Sequence, residues 1–242
     1  MNQNRRLAVA TGVLFITATV ADLLGAAVRP DLTDTDYLTQ VSAQGSRVAA
    51  GVLLLLIAAF ACAGIAVSMY PILRKANAGL ALGSVVFRTM EAVMYLIAVV
   101  SLLSLLTLGQ QLVSVGAAER ASLGAVGGLL LSLREHAALA GVFAFCLGAF
   151  LYYLAFLQSR LIPRWLSGWG IAAIILMTTA GVLALFNNDA VTSYVPLALP
   201  IFLQEMVMAI WLIAKGFSPA ALAAEPASEA TSWPAAVSGT AA

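Results

Sequence analysis

The chain has 242 residues, of which 62% are apolar and only 10% charged, whereas soluble domains run near a quarter charged and just under half apolar. Apolar blocks this long cannot be hidden inside one water-soluble core of this size, so the composition excludes a soluble globular domain and points to a bilayer. A formal net charge of +1, from 12 basic and 11 acidic residues, excludes a basic nucleic-acid surface, and no run of Lys or Arg forms a polybasic lipid clamp.

The apolar spacing predicts an all-α fold, a polytopic membrane helix bundle of six spanning helices, because a span needs roughly 20 mainly apolar residues. The first covers about Leu7–Val28. Its rival reading is a signal peptide, with Arg5 and Arg6 as the n-region and Gly25-Ala26-Ala27 as the cleavage site. The stretch is long for that role, and its removal would break the even topology argued below. The second span is Val48–Tyr70 and the third Gly79–Leu108, which is longer than a crossing needs and so tilts or projects. Glu119–Leu133, with three glycines, reads as an interfacial helix or a re-entrant piece. The fourth, fifth and sixth spans are Ala137–Leu157, Trp165–Phe186 and Val195–Ala214. Residues 1–217 thus form one transmembrane domain. Residues 218–242, rich in Ala, Pro and Ser and without a period, read as a disordered tail.

Positive charge sets orientation. Arg5, Arg6, Arg74, Lys75, Arg160, Arg164 and Lys215 fall on one side of an alternating six-helix topology. Arg29, Arg47, Arg120 and Arg134 fall on the other, diluted by Asp31, Asp34, Asp36, Glu119, Glu135 and Asp189. This predicts both termini in the cytoplasm of a bacterial inner membrane, with Pro71–Ala78 and Gln158–Arg164 as tight cytoplasmic turns and Asp31–Ser46 and Gly109–Leu133 outside.

The informative residues are charges inside the membrane, each costing about 2.5–3.5 kcal/mol at a helix centre. Arg88 and Glu91 lie three apart in the third span and so share a face. Glu205, beside Gln204 in the sixth span, sits at similar depth, so Arg88 is expected to meet Glu91 or Glu205 inside the bundle. One arginine facing two carboxylates leaves one negative charge, which a bound proton would remove. Asp22, Glu135 and His136 form a second expected group on the outer side, with Tyr95, Tyr152 and Tyr153 adding polar tips of unassigned direction. The competing reading is structural: buried Arg–Glu pairs lock helices together, and a boundary histidine is commonly just satisfied. Cys62 and Cys146 lie in apolar blocks, form no CxxC and build no zinc site with the lone His136, so they read as small buried residues and no metal or cofactor is implied. Glu91-Ala92-Val93-Met94 echoes Glu205-Met206-Val207-Met208, a faint hint of inverted halves.

Several segments carry a family resemblance: the Arg5–Gly12 start, Arg88-Thr89-Met90-Glu91-Ala92, Glu135-His136, the Ser159–Leu166 turn with its Pro163-Arg164 pair, and the Glu205…Trp211–Gly216 ending. Over roughly residues 4–217 the chain resembles the bacterial membrane proteins grouped as DUF4386. That resemblance implies a multi-pass membrane protein and no established activity.

Three functions follow from these residues. First is binding or transport of a small solute, a lipid headgroup or a proton at the Arg88, Glu91, Gln204 and Glu205 group, with a homo-oligomer if six helices alone are too few. Second is a structural or partner subunit. Third is an intramembrane enzyme acting on lipid through Asp22, Glu135 and His136. The enzyme ranks last, because no GxSxG or HExxH motif is present and one His cannot build a multi-histidine metal site.

Overall fold

The structure, a computed structural model, describes residues 2–34, 36–112 and 115–223. They form eight α-helices: α1 (Gln3–Val28), α2 (Tyr37–Ala43), α3 (Gly45–Ala76), α4 (Ala78–Leu112), α5 (Ala117–Ser159), α6 (Arg164–Asn187), α7 (Val195–Ala214) and α8 (Pro219–Ala223). A 3-10 turn, Val191–Tyr194, precedes α7, and there is no strand among the described residues. Six helices are long and apolar enough to cross a membrane: α1, α3, α4, α5, α6 and α7. Helix is the expected answer for such blocks, since lipid offers backbone groups no partner and only a helix satisfies them within one segment. Large apolar side chains such as Leu53, Phe60, Val67, Val100 and Ile210 face outward, while small ones, among them Ala8, Ala58, Ala149 and Ala173, are buried at the helix seams. That arrangement suits lipid outside and close helix packing inside.

Each spanning helix packs on its neighbours in sequence, and α7 also packs on α1, so the six close into a ring. The closing seam has two devices. At Gly12 the α1 backbone comes so near α7 that a Cβ would stand 2.6 Å from the Ala209 carbonyl oxygen. Below it, the Arg5 guanidinium caps the end of α7, donating from Nη1 to Leu212 O at 2.9 Å and from Nη2 to Ile213 O and Ala214 O at 2.5 and 3.3 Å. These carbonyls are the ones a helix end leaves without partners, and the cation also suits the helix dipole there. The start of α1 and the end of α7 therefore share one face, called here the terminal face; the opposite one is the far face.

The interior has two apolar cores. One, toward the terminal face, gathers Phe15, Ile65, Met69, Phe156, Leu166 and Met208. The other, toward the far face, gathers Leu38, Val41, Val52, Leu55, Leu102 and Leu105 from α2, α3 and α4. The segment 119–133 is neither a separate interfacial helix nor a re-entrant piece. It is the first part of α5, a single helix of 43 residues. At 1.5 Å per residue α5 is about 65 Å long, twice the hydrocarbon thickness of about 30 Å. The projecting part keeps its helix because Leu123, Leu130 and Leu131 pack on the far core. The helix carrying the fourth predicted span thus begins well before Ala137, and the part of 109–133 outside any helix shrinks to a few residues. The 31–46 connection contains α2, packed on α4.

On the terminal face the α3–α4 connection is also shorter than the predicted 71–78 turn. Pro71 lies inside α3, and Asn77 alone links the helices. Its N–H bonds Leu73 O at 2.9 Å, and its Oδ1 accepts the Leu80 N–H at 3.0 Å. The first described residues of the predicted tail are ordered against the bundle. Pro219–Ala223 is helical, Leu222 packs on the core, and Ser218 N–H bonds Leu161 O at 2.9 Å. Residues 224–242 lie outside the described residues.

Candidate functional site

Four helices deliver polar side chains to the middle of the ring. Arg88 sits on α4, 10 residues or about 15 Å from its start, and is 2% exposed. Its Nη1 lies 2.8 Å from Glu91 Oε2, one helical turn on. Its Cζ lies 5.1 Å from the centre of the Phe145 ring on α5, in cation–π range. The Cys62 thiol of α3, read from sequence as a small buried residue, lies near Glu91.

Glu205 on α7 does not join this ion pair. It accepts a hydrogen bond from the Tyr152 hydroxyl of α5 at 3.0 Å. Among the described residues no cation lies within ion-pair reach of Glu205. Gln204, completely buried, accepts from the Tyr153 hydroxyl and donates to Leu166 O of α6 at 3.0 Å. Tyr152 and Tyr153 are therefore the link between α5 and α7. Their rings lie 4.4 Å apart, and Phe15 and Phe156 pack edge-on against Tyr152 at 6.3 and 6.0 Å. Tyr153 fits because α6 passes it at Gly170, where a Cβ would come within 2.4 Å of the ring. Sequence reasoning left the direction of both tyrosines open. Their signal is two adjacent hydroxyls one to two turns inside the end of an apolar helix.

The group is only partly satisfied. Arg88 Nε and Nη1, Glu91 Oε2, Ser84 Oγ and Ser167 Oγ are buried and, apart from the Arg88–Glu91 ion contact, have no hydrogen-bond partner among the described residues. Unsatisfied polar atoms at such depth are unusual in a purely structural network. Chemically, the arrangement holds one cation, two carboxyls and two phenols in two separate sets, the Arg88–Glu91 pair and the Tyr152–Glu205 and Tyr153–Gln204 pairs.

The second predicted group assembles differently. Asp22 of α1 lies near the Tyr95 hydroxyl of α4. The charges nearest it are Arg29 at the end of α1 and Arg134 on α5. Glu135 and His136 do not join Asp22; both are exposed. The reason is helical rotation: successive residues turn by about 100°, so Arg134 and Ala137 face inward while the two residues between them face away.

No curated protein and no solved structure matches the chain. Residues 10–216, from about two turns into α1 to just past the end of α7, match the family model described as "Domain of unknown function (DUF4386)", and the chain belongs to that family.

Proposed function

We propose that this multi-pass membrane protein is a proton-binding module, coupling protonation at the ring centre to the passage of protons or a small solute. The supporting observation is the split between the two carboxyls. Arg88 is engaged by Glu91, which leaves Glu205 at mid-depth with a tyrosine hydroxyl and no countercharge within reach among the described residues. A carboxylate in that position meets a desolvation cost that a bound proton removes. Ionisable residues of this kind inside spans mark ion pathways by default. In orientation, the excess of Lys and Arg at the terminal face supports placing both termini in the cytoplasm of an inner membrane.

The test is proton flux into liposomes carrying the purified chain, read with an entrapped pH-sensitive dye under an imposed potential. Flux above that of empty liposomes, lost in Glu205→Gln with helical ellipticity unchanged, is the expected result. Equal flux with and without the protein would sink the reading. Reporter fusions after Arg74, Arg120, Arg160 and Lys215 check the orientation: cytoplasmic activity after Arg120 together with silence after Arg74 would reverse it.

A second reading has one specific observation in its favour. The near-complete burial of Arg88 and Gln204 also suits a partner subunit whose charges only fasten helices. It predicts that Glu205→Gln changes melting temperature and nothing else. The lipid enzyme loses its support, because His136 faces away from Asp22.

A further inference from the structure

The far opening of the ring holds a charge arrangement that the central site does not use. Arg29 of α1 and Arg134 of α5 come from helices that are not ring neighbours, yet they lie close enough to repel one another. Both also lie near Asp22. Among the described residues neither guanidinium reaches a carboxylate at ion-pair distance, the one such pair being Arg88–Glu91. Asp22 also lies near the Tyr95 hydroxyl, and Arg134 Nε is buried without a hydrogen-bond partner among the described residues. Glu135 offsets Arg134 from the exposed side only. The other arginine nearby is occupied: Arg47 donates from Nε to Val28 O at 2.9 Å and from Nη1 to Gln44 Oε1 at 2.5 Å.

Two half-buried cations near one carboxylate that is at ion-pair distance from neither leave a surplus of positive charge. A guanidinium presents paired N–H groups that match phosphate oxygens two at a time. Depth and surroundings say where that phosphate comes from. Arg29 caps the far end of α1, about 39 Å along the helix from Gln3, beyond a hydrocarbon layer of about 30 Å and so at headgroup level. Beside Arg134, α4 and α5 leave an apolar groove of about 250 Å³. It is lined by Leu96, Val100, Leu130 and Leu133 and opens on the outer wall of the ring. A headgroup at the arginines would place an acyl chain within reach of that groove.

We propose that Arg29 and Arg134 form a phosphate site that holds the headgroup of an anionic phospholipid in the leaflet at the far face. The site is independent of the central carboxyls. Its test is native mass spectrometry of the full purified chain with phosphatidylglycerol, phosphatidylcholine and inorganic phosphate. The wild type retains phosphatidylglycerol roughly thirtyfold better than phosphatidylcholine, a preference of the size expected from two basic residues at a leaflet surface. The preference disappears in Arg29→Gln with Arg134→Gln, and it weakens in Arg134→Lys, which keeps the charge and loses the fork. It persists in Arg47→Gln and Glu205→Gln. Equal retention of the two lipids by the wild type, or an unchanged preference in the double variant, overturns the proposal. Displacement of phosphatidylglycerol by equimolar inorganic phosphate overturns the lipid assignment and gives the site to the free ion.

Discussion

The two polar layers of the ring meet the same problem, charge in an apolar wall, in opposite ways. The central layer is built from buried and half-buried side chains on α4, α5 and α7, in which each of Glu91, Gln204 and Glu205 has a named donor on another element or one turn away, while Arg88 Nε and the Ser84 and Ser167 hydroxyls have none among the described residues. The far layer is half-buried, and its two arginines stop short of the aspartate between them. The difference follows depth. Where no water or headgroup can reach, the protein itself must supply the partners. At the membrane boundary the surroundings supply them, and the side chains need not close on one another.

Five substitutions can break or sharpen that contrast. The largest effect is expected for Arg88→Leu, which leaves Glu91 buried without its cation. A broken buried pair costs up to roughly 3–5 kcal/mol, less whatever Glu91 regains by binding a proton. Thermal unfolding in detergent measures it, and the double change with Glu91→Leu should restore part of the loss. Additive effects would show that the pair does not interact. Next is Tyr153→Phe, which leaves the buried Gln204 oxygen without its donor and should cost about 1–3 kcal/mol. Gly170→Ala on the facing helix should cost a similar amount by overpacking the same ring, and Tyr153→Ala should relieve it.

A smaller effect is expected in the far layer. Arg134→Gln removes a partly exposed cation that no carboxylate contacts, so stability should change by less than about 1 kcal/mol. A loss as large as that of Arg88→Leu would erase the distinction between the layers. The smallest effect lies outside the membrane. Asp31, at the far face, accepts hydrogen bonds from the Thr33 N–H and hydroxyl at 2.9 and 2.8 Å, and these hold its carboxyl below the ordinary value. A depressed folded-state value means that the contribution is complete above the unfolded value of about 3.9 and fades as pH falls through the folded one. Thr33→Val should therefore shift the Asp31 carboxyl resonance titration upward in NMR and leave stability at pH 7 nearly unchanged.

Six spans could be read from the sequence because their signal is composition over a fixed length. The depth of Arg88, Glu91, Gln204 and Glu205 was legible for the same reason, since depth is a residue count from a helix end. Two things were not. The start of α5 was hidden because Gly124, Gly127, Gly128 and the Arg134-Glu135-His136 cluster break the hydropathy signal without breaking the helix, which leans on the far core instead of lipid. The azimuth of each side chain was hidden too, because it is set by how neighbouring helices cross. That is why Glu205 met Tyr152 and not Arg88, and why Arg134 turned inward while His136, two residues on, did not.

The Arg5 clasp on α7 has a consequence for biogenesis. The residues it joins are 207 positions apart or more, and translation proceeds at about 5–20 residues per second. The first helix therefore waits about 10–40 s in the bilayer before its last neighbour exists. Throughout that interval the Gly12 seam is an open edge that lipid, an insertion factor or a membrane protease can reach. The finished protein is a closed ring, but every copy passes through an open arc whose lifetime is set by the ribosome.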